Sequence, residues 1–536
     1  MTDNGASYTV VVSNAEGTVS AAATLTVSSA QGVTQAGAVR FLEQSSFGPT
    51  SAQVGQVQQM GLAPFLTSQF SAPMSTYPDP ASTITSLLPT EQVFFTNALT
   101  DADQLRQRVA FALSEIWVTS GFTVPPQGMA PYMRLLLQDA FVNYRTLMND
   151  VTLSPAMGRY LDMVNNDKPS TNPVTHANEN YARECMQLFT LGLNELNSDG
   201  TAKLDSSGNP IPTYSQTEVQ VFARVFTGWT YGTQTGSTPQ KHNPANWLAP
   251  MVAFESNHDV ASKTLLTYNG STITLPAAQT AEQDLTGALD DIFNHPNLPP
   301  FISKQLIQHL VTSNPSTDYV KRVATVFASG TFSGAGATFG SGQRGDMQAV
   351  IAAILLDPEA RRGDDPTTAN AKDGHLREPI LYIANILRAF GAASDGAAPA
   401  NNAAAMSESP MNSPSVFNFF PPSFNIPGTN LLGPEFSLET TATTLVRANF
   451  VNSFVYTTIG AGTTVDFTPY ATLAATPSQL LDSLNVLLLH GAMSSSARAS
   501  ILAAVNAVAT GSTQNLSRAK TAIYLILSSS QYQVEQ

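Results

Sequence analysis

Cysteine is almost missing from this chain, with one residue, Cys185, in 536. A single thiol forms no intrachain disulfide, builds no cysteine-based zinc site and says little about redox compartment. Charge is sparse too. Asp, Glu, Lys and Arg make up 12%, and the cations are the rarer kind, 25 Lys plus Arg against 39 Asp plus Glu, for a net charge of −14 and a pI near 4.9. That sign excludes a protein that binds nucleic acid or anionic membrane by releasing counterions. Long apolar runs are absent: the best, at 349–356, is about a third of the roughly 20 residues a transmembrane helix needs. The first residues show no basic stretch followed by an apolar one, so they do not read as a signal peptide. There is no G-x-S-x-G elbow, no H-E-x-x-H and no glycine loop followed by lysine at phosphate-binding spacing.

What is present is a chain that folds. A hydrophobic share of 43%, with 34 Gly and 34 Pro, lies far from the composition of disordered chains, and the length buries a sizeable core. Low charge with abundant Ser, Thr, Ala, Asn and Gln fits an exported protein, secreted, periplasmic or held at the cell surface, whose natural amino end is expected to lie upstream of residue 1.

Residues 6–29, ASYTVVVSNAEGTVSAAATLTVSS, alternate apolar and polar positions on both sides of Asn14-Ala15-Glu16-Gly17, the pattern of a β-hairpin. They look like the last two strands of an immunoglobulin-like module, with Tyr8 two residues before Val10 in the relation of a tyrosine corner to its core position. The expected division is residues 1–30 as the remnant of that module and 31–536 as one large, mainly α domain. Apolar residues recur three or four apart over 101–119, 131–148, 178–191, 216–229, 280–293, 299–311, 316–328, 344–356, 376–390, 477–490 and 516–527, which predicts helices there. Small hairpins are expected as insertions at 197–214 and around Asn269-Gly270 in 263–276. The Gly- and Ala-rich stretches 330–345 and 391–412 read as surface loops.

Because charge is scarce, its clusters carry information. His176 to Glu184 reads HANENYARE, and on a helix Glu179 and Arg183 share a face, as do Asn180 and Glu184. One reading is a solvated ion pair; the other puts Glu179 and Glu184 near a pocket, with Arg183 holding one of them ionised while burial raises the other toward a proton-donor role. The second cluster, Glu255-Ser256-Asn257-His258-Asp259 with Lys263 after it, places an imidazole beside a carboxylate in a loop, which suits a general base or a ligand. A cation held by His176, Glu179, Glu184 and His258 is a further reading, and no other cofactor is indicated. Arg106, Arg108, Glu115 and Trp117 share one helix, and Arg108 is expected to pair with Glu184 or Glu179. Arg377-Glu378 opens another, with Pro379 in its first turn. Cys185 sits on an apolar stripe and reads as an inert core thiol. Phe417-Asn418-Phe419-Phe420-Pro421-Pro422 reads as either a stacking wall or a buried crossover.

The blocks Arg40-Phe41-Leu42 to Phe47-Gly48-Pro49-Thr50, QLRQRVAFALSEIWV, NENYARECMQLFTLG, YSQTEVQVFARVFTGWTY, FESNHDVASKTLL, REPILYIANILRAFGA and SPSVFNFFPPSF together resemble a bacterial family known as domain of unknown function 1800, large exported proteins. The likeness runs from about Val33 to Gln536. It implies export, sometimes behind immunoglobulin-like modules, and transfers no activity. The chain departs from the family's pattern at Cys185, where Leu or Ile usually follows the Glu, and in the hairpin after the His-Asp-x-x-x-Lys block.

The leading expectation is an exported enzyme, a hydrolase or lyase acting on an extracellular polymer or cell-surface glycan. Glu179, Glu184, His258 and Asp259 would be its catalytic groups, and Arg108, Arg183, Lys263 and Trp229 its substrate contacts. The rivals are a non-catalytic surface or assembly protein whose polar clusters are buried ion-pair struts, and a metal-dependent or redox protein.

Overall fold

A computed structural model describes residues 7–14, 17–24, 32–370 and 372–535. Helices carry the body, and among the described residues β-structure is confined to seven two-stranded antiparallel sheets. The helix Pro379–Ala389 buries every residue, Gln104–Ile116 all but Arg106 and Ser114, and Met347–Leu355 all but Gln348. A helix apolar on all sides belongs in the middle, and these three form the interior. Amphipathic helices such as Thr317–Ser329 and Ala281–Asn294 pack around them, each N-capped by the hydroxyl its sequence supplies, Ser316 and Thr280.

At the amino end, strands Ser7–Asn14 and Gly17–Thr24 pair antiparallel, Ser7 opposite Thr24 and Asn14 opposite Gly17. The remaining residues of the expected 6–29 hairpin lie outside those described. The second expected hairpin forms as Lys263–Tyr268 and Ser271–Leu275, with Asn269 at φ 50° and Gly270 at φ 73°, the pair of positive φ angles a tight primed turn requires. The 197–214 insertion is looser, held by the isolated bridges Leu196↔Ala202, Leu204↔Pro210 and Asn194↔Pro212.

Four expectations need correction. The helix expected at 131–148 is two, Pro126–Asp139 and Tyr144–Leu153, because Asn143 leaves the helical conformation and caps the second through its side chain. The stretch 330–345 is not all loop: it carries a hairpin, Phe332–Gly334 with Ala337–Phe339. Nor is 391–412, where Ala397–Ala405 is helical, since its alanines carry the best helix propensity and Ala398, Ala400 and Ala403 find a core to bury in. The helix expected at 178–191 changes pitch. It runs as α over Asn180–Glu184 and as π over Cys185–Thr190, then ends at Gly192.

That ending is sterically exacting. Gly192 has φ 78°, and a Cβ there would lie 2.7 Å from Phe301 Cε2. Gly192→Ala is expected to cost about 1–3 kcal/mol through left-handed strain plus displacement of that ring. Urea unfolding checks this; a variant as stable as the parent would mean the turn relaxes freely.

Candidate functional site

The wider turn of the π segment turns Gln187, Leu188 and Leu191 toward a cleft of about 530 Å³, a size that holds a small molecule or a segment of a chain. Opposite them stands the helix Leu298–Leu310, a period-3.6 helix whose polar side presents Lys304, Gln305, Gln308 and His309. The 197–214 insertion closes one side and Val416 to Ser423 another, with Phe417 47% exposed at the rim. Glu115 and Glu435 are the two carboxylates on the wall.

Glu115 and His309 form the centre. Nδ1 of His309 lies 3.1 Å from Glu115 Oε2, whereas Glu115 Oε1 accepts a 2.8 Å hydrogen bond from Asn418, itself held at 3.0 Å by the Ser413 hydroxyl. Asn418 sits at φ 63°, a left-handed conformation that asparagine tolerates and this chain of contacts fixes. Beneath, Arg108 donates to the carbonyl of His309. Among the described residues Nε2 of His309 has no hydrogen-bond partner. An imidazole with one nitrogen against a carboxylate and the other unbonded, on a cleft wall, is the arrangement of a general base. A second pair, His375 Nδ1 and Glu435 Oε1, stands at 3.4 Å.

Behind Glu115 lie Glu378 and Glu408. The three have carboxyl oxygens within 4.8 Å of one another and are buried, which is the spacing of a cation cage. Burial, with repulsion from Glu115 and Glu408, pushes Glu378 well above the ordinary carboxyl range, and burial with repulsion from Glu115 pushes Glu408 up to about 8. A proton-holding pair beside the Arg108 guanidinium is therefore the state that burial favours. Burial likewise raises Asp139 to about 7 and Asp291 to about 6. All four bind protons in the fold that the unfolded chain releases above about pH 4.5, so folding stability falls as pH rises from about 5 toward 8. Below that range the sign reverses. Burial alone would raise Glu43 and Asp259, but Arg377 and His490 hold the first below its usual range and Arg224 the second, and their contribution is lost as pH falls through those lowered values. Urea midpoints should peak near pH 5; a midpoint that climbs steadily to pH 8 would contradict this.

The sequence-predicted residues fall elsewhere. Arg183 pairs with Glu179 at 2.7 Å and burial raises Glu184, and neither carboxylate lines the cleft. His258 is buried between the Thr227 carbonyl, 2.9 Å from Nδ1, and Asp284, 3.0 Å from Nε2. Lys263 is buried 2.6 Å from the same Asp284, and Asp259 pairs with Arg224 at 2.8 Å. Those contacts consume the second cluster as a strut. The two clusters hang on opposite ends of the helix Gln216–Val225, Gln216 bonding Glu179 and Arg224 bonding Asp259, about 12 Å apart along the axis. Arg108 pairs with neither Glu179 nor Glu184. Trp229 is buried in a short strand opposite Ala253, and His176 is exposed. Among the described residues, His176, Glu179, Glu184 and His258 do not come within ligand distance of one another.

Sequence reasoning passed over His309, Glu408 and Glu435. For His309 the signal was context: in a charge-poor chain, a histidine in LIQHLV stands among apolar residues that leave a polar group little solvent to face, whereas AMSESP and LGPEFS, around Glu408 and Glu435, carry no such signal.

The family model described as "Protein of unknown function (DUF1800)" matches residues 40–534. No curated protein and no solved structure matches the chain.

Proposed function

The chain belongs to the DUF1800 family, whose description assigns no activity, and from that premise we propose that it is an acid–base enzyme, a hydrolase or lyase, acting on an extracellular polymer of the glycan type. The observation that carries this is the His309–Glu115 pair, with Nε2 of the imidazole free on the wall of the cleft. His309 takes the proton, Glu115 fixes the ring and stabilises its charged form, and Asn418 and Ser413 hold Glu115. Glu435, on the same wall, is backed by the buried His375 at 3.4 Å. Support comes also from the blocks that carry the family resemblance. QLRQRVAFALSEIWV brings Glu115, NENYARECMQLFTLG brings Gln187, and SPSVFNFFPPSF brings Asn418, from distant parts of the chain to one hollow. Export fits the charge-poor composition, and on this reading strands Ser7–Asn14 and Gly17–Thr24 are the end of an immunoglobulin-like module ahead of the enzyme.

The test is a screen of soluble polysaccharides and polyesters, following chain shortening and new reducing or unsaturated ends, with wild-type protein beside His309→Ala. Turnover by wild type and none by the variant supports the reading. A protein that binds a polymer and never cleaves it is the assembly protein instead.

A further inference from the structure

Lys304 is the one lysine or arginine on the cleft wall, and among the described residues it has neither an ion pair nor a hydrogen bond. It is half-buried, and burial lowers its pKa with no carboxylate to offset the loss of solvent. The wall's own carboxylates are engaged elsewhere, Glu115 with His309 and Glu435 with His375. A desolvated ammonium without a counterion is costly unless a ligand supplies one. Lys304 stands five residues before His309 on the same helix, about 7.5 Å along its axis, and both line the cleft, so one bound segment spanning the cleft can meet both.

The remaining lining says what carries the anion. Gln187 and Asn194 line the cleft with side-chain amides that have no hydrogen-bond partner among the described residues, and they offer donors and acceptors to hydroxyl groups. Phe301, Phe417 and Phe420 add ring faces of the kind that pack on the C–H faces of sugars. An acidic peptide would be met by a cluster of arginines, and the wall holds a single cation. We propose that Lys304 is the anion-recognition residue of the cleft and that the ligand is an acidic polysaccharide, one whose sugars carry carboxylates. This rests on the cleft being the substrate site, as argued above.

Binding is measured separately from turnover, by titration calorimetry and affinity electrophoresis with polygalacturonate, alginate and hyaluronan, and with dextran as the neutral control. The protein is the full chain carrying His309→Ala, so that nothing is consumed, with and without Lys304→Gln; circular dichroism establishes that both fold, and Lys304→Gln alone repeats the comparison with His309 intact. At least one acidic polymer should bind, about 10-fold or more weaker after Lys304→Gln and weaker with added salt, while dextran is indifferent to the substitution. Dextran binding as well as the acidic polymers, an acidic polymer unaffected by Lys304→Gln, or no acidic polymer bound at all overturns the assignment. Acidic polymer bound through Lys304 but never cleaved by wild type sinks the enzyme reading and leaves this one standing. Cleavage of a neutral polymer with Lys304 irrelevant does the reverse.

Discussion

His309→Ala is expected to lower kcat/KM on the polymer that the wild type cleaves by about 10²–10⁴-fold, the range a positioned general base contributes. Most of the loss should fall on kcat, since the imidazole acts on a proton and the aromatic and amide walls that hold substrate are untouched. Glu115→Gln should be milder, because it keeps an oxygen for Asn418 while removing the carboxylate beside the imidazole. Glu179→Gln and Glu184→Gln, whose side chains stand off the cleft, should leave turnover unchanged. If His309→Ala works as well as wild type, the reacting groups lie elsewhere in the molecule.

Arg377→Ala is expected to be the most damaging single change to stability, about 3–5 kcal/mol in urea unfolding. Arg377 is 1% exposed and sits 2.6 Å from Glu43, which is 0% exposed, with its guanidinium 4.6 Å over the Tyr532 ring. Removing it leaves Glu43 inside the fold with His490, 3.4 Å away, and a long hydrogen bond from Asn385 to answer its charge. The cost is mostly that of an orphaned charge rather than of a lost attraction. The double variant Glu43→Gln, Arg377→Met should therefore regain a large part of the loss. A double variant as unstable as Arg377→Ala would show instead that the stacking on Tyr532 and the bond to its carbonyl dominate.

The helical body was legible because a buried face repeats every three or four residues whatever it packs against. Pro379 and Thr280 sit at their helix starts as the side-chain chemistry requires. The π turn at Cys185–Thr190 was not legible, since one extra residue in a turn leaves the apolar stripe almost unchanged. The site was harder still. Glu115 and Asn418 touch across 303 residues, and no local pattern announces a partner that distant. Conversely, His258, Asp259 and Lys263 carry the local look of acid–base chemistry, and only the fold reveals that Asp284, from the helix Ala281–Asn294, takes both the imidazole and the ammonium. Scarce charge draws attention to polar groups in apolar surroundings, but it does not say which of them face a hollow.

The Glu43–Arg377 pair has a bearing on biogenesis. Glu43 comes from the first helix of the domain and Arg377 from its middle, and the strand His375–Leu376 is completed by Val534–Glu535 near the other end. Stitching of this kind means that a nascent polypeptide on the ribosome cannot reach its native state until residue 535 has emerged.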